Sequence, residues 1–214
     1  MRVKHSLATD DLSAAVTGHG QMLWPQNRRH ALVAAWLLWT VPMLVIAAMV
    51  IHHPLKHTVT LGSYHPSAEN WWARQNLYVG PSGMNYLPHF AVLYTPFHLL
   101  PLPISEILWR FCAAATLAGG LWLLACEMSG PASGFLFLRA TILTLPLSLA
   151  SLRNGNANAI FAGVTLLAVV ATLQQRWWLA GGAWRWFELF LTLGGGRSPW
   201  GLRWGGGFRR CRRG

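Results

Sequence analysis

From Ala31 to Ile51 the chain reads ALVAAWLLWTVPMLVIAAMVI, without one charged residue. A run of that length matches the roughly 20 residues a helix needs to cross the hydrocarbon core of a bilayer. It predicts a first transmembrane helix, which Pro42 kinks by freeing one backbone carbonyl. A signal peptide is the alternative, but its n-region would be unusually long and acidic, and its apolar segment would exceed the usual length of roughly 7 to 15 residues. Three further apolar stretches follow, Ile107 to Ala125, Phe135 to Leu149 and Ala157 to Leu173. Composition agrees: 53% of the residues are hydrophobic and only 11% charged, against about a quarter charged in soluble domains. The expected fold class is an all-α integral membrane protein. It would be a multi-span helical bundle of about four to five spanning helices, with juxtamembrane helices in a long first outer loop.

Residues 1–30 form a polar segment that ends in Arg28, Arg29 and His30. The positive-inside rule places such a basic collar, and so the N-terminus, in the cytoplasm. The formal charge of +11 invites a nucleic-acid reading, yet six arginines between Arg197 and Arg213 carry more than half of it. They lie in a tail, residues 182–214, whose density of Gly, Arg, Trp and Pro has no apolar periodicity and cannot bury a core. That tail reads as an aberrant or disordered segment, of the kind GC-rich DNA encodes out of frame, with Phe187 to Leu193 as a candidate extra helix. A basic tail binding lipid phosphate or RNA is the competing reading. Outside it no nucleic-acid partner is expected. Cys112 and Cys126 fall in apolar helical stretches and Cys211 in the tail, a pattern of neither disulfides nor CxxC metal sites.

Between the first two apolar runs lies an outer stretch, Tyr64 to Arg110, too polar and Pro-broken at its start for hydrocarbon but crowded with Trp, Tyr, Phe and His. These side chains settle at membrane interfaces. Ahead of it, His52, His53, Lys56 and His57 have no acid to balance them; they form either a lipid-phosphate site or a plain solvated collar. Ala68 to Asn76 predicts a short helix with Trp71 and Trp72 toward the membrane and Arg74 toward water. Gly80 to Gly83 predicts a turn. Pro88, Pro96, Pro101 and Pro103 divide Tyr86 to Leu102 into an interfacial or partly inserted helix, a kinked spanning helix being the alternative. Glu106 and Arg110 stand one turn apart, as a structural pair or as site residues. Arg153, Asn154, Gly155, Asn156 and Asn158 make a polar turn on the same side as the aromatic loop. A plain loop accounts for that composition, but the Arg fork suits phosphate and the Asn amides suit sugar hydroxyls.

The pattern Y-x3-A-x2-WW-x4-LY, then G-x2-YLP-x2-A-x-L-x2-P-x3-LP and LWR, followed by LRNGNAN and RWWLAG, resembles a bacterial branch of glycosyltransferase family 87. The matching positions are Tyr64, Ala68, Trp71, Trp72, Leu77, Tyr78, Gly83, Tyr86, Leu87, Pro88, Pro96, Pro101, Leu108, Trp109, Arg110, Arg153, Asn154, Gly155, Asn156 and Asn158. The resemblance implies a C-type membrane glycosyltransferase domain over residues 31–181, truncated relative to the family. It further implies transfer of a hexose, typically mannose, from a polyprenyl-phosphate donor to a hydroxyl of a glycan or lipid acceptor. The reaction would take place on the extracytoplasmic face of a bacterial inner membrane. Taken with the reading of the loop and the charged pair, the expected substrate-binding set is Tyr64, His65, Trp71, Trp72, Tyr78, Tyr86, His89, Glu106, Arg110, Arg153, Asn154, Asn156 and Asn158.

Displacing a lipid phosphate needs a base for the acceptor and cations for the departing phosphate. Many relatives in the wider superfamily place an acid in the first outer loop, whereas here no Asp precedes Tyr64. Glu69 is therefore expected as the base, with Arg110 and Arg153 as phosphate partners. No cofactor is specified, and a divalent metal stays open. This copy could be inactive through truncation. The alternative is a non-enzymatic membrane protein, a transporter subunit or lipid-binding assembly partner, in which polar residues would line a path at mid-bilayer. Thr116, Gly119 and Gly120 are the main interruptions there, and the polar residues concentrate at the outer edge instead.

Overall fold

The computed structural model describes residues 28–52, 58–78, 84 and 86–191. The segment before Arg28, the cluster of His53, Lys56 and His57, the turn at Gly80 to Gly83, and the tail beyond Leu191 with Cys211 lie outside the described residues. The described residues are helical throughout their ordered elements. They form α1 (Arg28–His52), a π-helical turn (Thr60–Tyr64) leading directly into α2 (His65–Trp72), α3 (Pro88–His98), α4 (Leu102–Ser129), a 3-10 turn (Gly130–Ala132), α5 (Ser133–Asn154), α6 (Asn158–Leu173) and α7 (Trp177–Leu191).

Proline sets several of these boundaries. Prolines occupy the first turns of α2, α3 and α4, where the missing N–H would have no helical partner anyway. Leu87 is extended (φ −62°, ψ 154°), the geometry a following proline favours. Helix α3 has 11 residues, about 16 Å at 1.5 Å per residue, and so cannot cross a bilayer alone. Helix α4 starts at Leu102, earlier than the expected Ile107, and runs through Glu127 to Ser129. Arg153 and Asn154, expected in a turn, are the last residues of α5, and Gly155 (φ 70°) ends that helix in the left-handed conformation. Helix α7 passes through Gly181 and Gly182 as far as Leu191. No proline interrupts Ala183 to Leu191, and Gly tolerates a helix at about 1 kcal/mol.

Two stretches are long and apolar enough to cross a membrane, Arg28–His52 and Leu102–Asn154, the second folded at Gly130–Ala132 into a helical hairpin. Only 28% of the most apolar window of each is buried. Val33, Leu37, Val41, Leu44, Leu143 and Leu147 point outward, a surface suited to lipid and too large an apolar patch for water. Inward, α1 presents Ala31, Ala35, Trp39, Met43, Ile46 and Val50 as one stripe.

Helices α1 and α5 start at the same end. Arg28 donates from Nη2 to Ser133 Oγ at 3.2 Å, and a Cβ on Gly134 would lie 2.9 Å from the Arg28 carbonyl oxygen. Midway, Trp39 Nε1 donates to Thr141 Oγ1 at 3.1 Å. Helix α6 lies on α4 at a glycine crossing: a Cβ on Gly163 would come within 2.5 Å of the Thr116 backbone, and one on Gly120 within 2.9 Å of the Gly163 carbonyl. The glycines that interrupt the second span thus include one that lets two backbones touch. At the same end as Arg28 and Ser133, Gln174 Nε2 donates to Glu127 Oε2 at 3.0 Å. The alternating directions bring the end of α1, the π-turn, the start of α4, the end of α5 and the start of α6 together at the opposite end. A second core fills that end, built from Tyr64, Leu77, Met84, Phe90, Tyr94, Trp109 and Phe161.

Candidate functional site

At that end the aromatic loop meets the polar turn. Tyr64 is fully buried and its ring meets Tyr86, Phe90, Tyr94 and Trp109 edge to face, with centroids 5.8, 4.6, 5.5 and 5.7 Å away. Its hydroxyl accepts from the Ala157 N–H at 3.1 Å and donates to Asn156 Oδ1 at 3.4 Å. The Tyr86 hydroxyl reaches the same Asn156 oxygen at 3.1 Å. Trp109 Nε1 donates to the Gly155 carbonyl at 2.8 Å. Burial and the neighbouring Tyr86 push the Tyr64 hydroxyl well above its usual acidity range, so it stays a neutral donor.

Beneath this contact sits a buried ion pair. Glu106 is 3% exposed and Arg110 1%. Arg110 Nη1 donates to Glu106 Oε2 at 2.6 Å and to the Glu106 carbonyl at 2.7 Å, while Nε and Nη2 both donate to the Arg153 carbonyl at 3.2 Å. Thr60 Oγ1 donates to Glu106 Oε2 at 2.7 Å. The guanidinium that the sequence offers as a phosphate partner is thus engaged inside the protein, because burial obliges each of its donors to find a protein acceptor. Glu106 is likewise buried.

One atom of the pair stands apart. Glu106 Oε1 is buried and has no hydrogen-bond partner. The nearest cationic candidate is His65 Nε2 at 3.8 Å, an ion pair only when the imidazole is charged. Burial lowers the basicity of His65, as does the nearby His98; Glu106 opposes but does not reverse this. His65 is therefore neutral near neutral pH, and the 3.8 Å contact is a polar approach rather than a salt bridge. Its ring is fixed on both sides, Nε2 at 3.2 Å from Ser105 Oγ and Nδ1 at 3.2 Å from His98 Nδ1. Tyr94 OH lies 3.4 Å from Ser105 Oγ; burial, its largest influence, pushes that hydroxyl up as well.

Toward the outside, Trp71, Trp72, Arg74, Gln75, Asn76, Leu77 and Tyr78 line an open cleft of about 630 Å³. Trp72 Nε1 donates to Thr95 Oγ1 at 2.9 Å and Tyr78 OH to the Tyr86 carbonyl at 3.2 Å, so both rings are held from α3 and the stretch before it. Arg74 has φ 56°, a left-handed geometry uncommon for a residue other than Gly. Glu69 is exposed on α2, and among the described residues no partner fixes its carboxylate. His89, Arg153, Asn154 and Asn158 are exposed as well. The structure thus joins Tyr64, His65, Tyr86, Glu106, Arg110 and Asn156 in one network, groups Trp71, Trp72 and Tyr78 in the cleft, and leaves Glu69, His89, Arg153, Asn154 and Asn158 on the surface. Among the described residues no group of three or more His, Cys, Asp or Glu could hold a metal ion. A second groove, about 530 Å³ between α6 and α7, is lined by apolar residues and threonines and carries no ionisable group.

Residues 85–184 match the model of glycosyltransferase family 87. The family implies a membrane glycosyltransferase that uses a sugar donor and an acceptor, in accord with the apolar helices. The family 87 match takes in α3 to α6, and with them Tyr86, Glu106, Arg110, Arg153 and Asn156; α1, the π-turn and α2 precede it. No curated protein and no solved structure matches the chain. Thr60, Tyr94, His98 and Ser105 also belong to the network and were not singled out from the sequence. Their partners lie 46, 11, 33 and 40 residues away, beyond the reach of any local pattern.

Proposed function

We propose that this chain is a C-type glycosyltransferase that moves a hexose, with mannose the first candidate, from a polyprenyl-phosphate donor to a hydroxyl of a glycan or lipid acceptor. The observation that supports it best is the junction of the two polar segments: Asn156 bridges Tyr64 and Tyr86 while Arg110 holds the Arg153 carbonyl. That junction presents the Arg153 side chain, Asn154 and Asn158 on the surface at one end of an apolar bundle. Within this reading α1, α4 and α5 cross the membrane, and α6 and α7 bring the spanning helices to four or five. Arg28 and Arg29 sit at the cytoplasmic end, so the junction faces outward across a bacterial inner membrane. The cleft between Trp71 and Tyr78 takes the lipid-linked sugar, and Arg153 meets the phosphate as it leaves. Glu69, expected to take the acceptor's proton, has no neighbour that orients it among the described residues.

The test is transfer of labelled hexose from a polyprenyl phosphate by the full chain in proteoliposomes. Asn156→Ala should lower the rate about 10- to 100-fold without loss of insertion, the scale of a misplaced site. Single cysteines at the exposed positions Gln75 and Asn154 should both be labelled from outside. No transfer by the unaltered chain, or labelling of the two cysteines from opposite sides, refutes the reading.

A further inference from the structure

A buried carboxylate oxygen without a donor is uncommon, since leaving such an atom unpaired costs about 1–3 kcal/mol or more for a charged group. Glu106 Oε1 is such an atom, and the group aimed at it is His65 Nε2, 3.8 Å away. A neutral imidazole carries one N–H, and its tautomer follows from the network around it. If His65 held its proton on Nδ1, the Nε2 lone pair would face a carboxylate lone pair. With the proton on Nε2, that N–H points to Ser105 Oγ and lies beside the carboxylate, which favours it electrostatically. Ser105 does not decide the matter, because its hydroxyl can donate or accept. The carboxylate does.

The consequence travels one ring further. With its proton on Nε2, His65 offers Nδ1 as an acceptor, and among the described residues the group within hydrogen-bond distance of it is His98 Nδ1 at 3.2 Å. His98 must then carry its proton on Nδ1, which leaves Nε2 as a free lone pair. His98 is partly buried at the end of α3, and its Nε2 has no hydrogen-bond partner among the described residues. If His98 gains a proton there, the bond to His65 is unchanged, so the array accepts a proton without rearranging.

We propose that His98 is the proton acceptor of this site, its Nε2 freed for that role by a relay in which Glu106 sets the tautomer of His65 and His65 sets that of His98. The assignment rests on the transferase reading above. In the transfer step the acceptor hydroxyl gives its proton to His98 Nε2 as its oxygen bonds to the anomeric carbon. The bond from that carbon to the phosphate oxygen breaks, and its electron pair leaves with the phosphate. His65 and Glu106 are positioning residues. The groups that face the relay are Tyr94 from α3, Ser105, Glu106 and Arg110 from α4, and Thr60 from the π-turn through Glu106. Arg185, the one charged residue of α7 whose side chain is described, is exposed.

Two measurements test the relay. In the full chain, the rate of transfer should rise with pH along an acidic limb; His98→Gln should lower the plateau by about 10²–10⁴ with KM retained and abolish that limb. His65→Gln should shift the limb and lower the rate less, with His65→Asn, whose amide oxygen can accept in place of Nδ1, recovering part of it. Transfer lost in Glu69→Gln but kept in His98→Gln, with the limb unchanged, overturns the proposal. Independently of any transfer, ¹⁵N-histidine NMR of the detergent-solubilised chain at neutral pH should find His98 protonated on Nδ1 and His65 on Nε2. The opposite tautomers overturn the relay even if the chain transfers sugar, whereas these tautomers in a chain without transfer refute the functional reading alone.

Discussion

Gly155 closes the contact between the two polar segments, and a methyl group there should reveal how tight that contact is. Its φ of 70° puts an alanine in the left-handed region, at a cost of about 1–2 kcal/mol. The new Cβ would also lie 2.7 Å from Thr60 Cγ2, 3.0 Å from Thr60 Oγ1 and 3.2 Å from Arg110 Nη2. Thr60 cannot retreat without stretching its 2.7 Å bond to Glu106 Oε2, and Arg110 cannot without loosening the ion pair. Overpacking of this kind costs about 1–3 kcal/mol. Gly155→Ala should therefore destabilise the chain by about 2–5 kcal/mol, or roughly 4–20 °C in Tm for a chain of this size. Thr60→Ser separates the two contributions, because it deletes Cγ2, the closest atom, and keeps the hydroxyl that serves Glu106. In that background the loss from Gly155→Ala should shrink by about 1–2 kcal/mol, within the range measured for contacting residues. Unfolding of the four proteins in one detergent, followed by tryptophan emission, reads the cycle. Equal losses in both backgrounds would mean that Thr60 does not press on Gly155 and that the packing of the two segments has been misjudged.

Glu106→Gln should destabilise by about 3–5 kcal/mol, since it leaves the Arg110 charge buried without its counter-ion; Glu106→Gln combined with Arg110→Met should recover much of that in the same unfolding assay. Stability should also depend on His65. Its basicity is depressed in the folded state, so the unfolded chain takes up the proton first; the contribution is complete above about pH 7 and declines on acidification toward pH 5, and a pH series should be flatter for His65→Gln. At the helix crossing, Gly163→Ala places a Cβ 2.5 Å from the Thr116 backbone and should cost about 1–3 kcal/mol, while Gly119→Ala, with nothing within 4 Å, should fall within about 0.5 kcal/mol of the parent.

The elements themselves were legible because they rest on local causes. Uncharged runs of about 20 residues have few solutions besides a helix in lipid, and Pro88 and Pro101 mark helix starts because their rings forbid a continuing helix. The spacing of Glu106 and Arg110 announced an i,i+4 pair, but not its depth. At a bundle end, sequence alone does not distinguish a charged pair lying in the headgroup layer from one roofed by Tyr64, Trp109 and Thr60. Glycine weakens a helix without ending it, and α7 continues across Gly181 and Gly182. Thr60, His98 and Ser105 gave no local signal, since each matters only through a partner tens of residues away.

The depth of the ion pair changes where chemistry can take place. A guanidinium that is 1% exposed, with each nitrogen bonded to a protein oxygen, is committed to the interior of the chain. It performs a mechanical task instead: by gripping the Arg153 carbonyl it fixes the last turn of α5, and so the direction in which the exposed Arg153 side chain departs. Trp109 does the same for Gly155 from one residue away on α4. Two adjacent residues of one helix thus hold the polar turn, while Glu106, one turn earlier, anchors the π-turn through Thr60 and approaches α2 through His65. On the proposed transferase reading, the leaving phosphate is met by the exposed Arg153, and the proton is removed by a group on α2 or α3, on the other side of the same buried carboxylate.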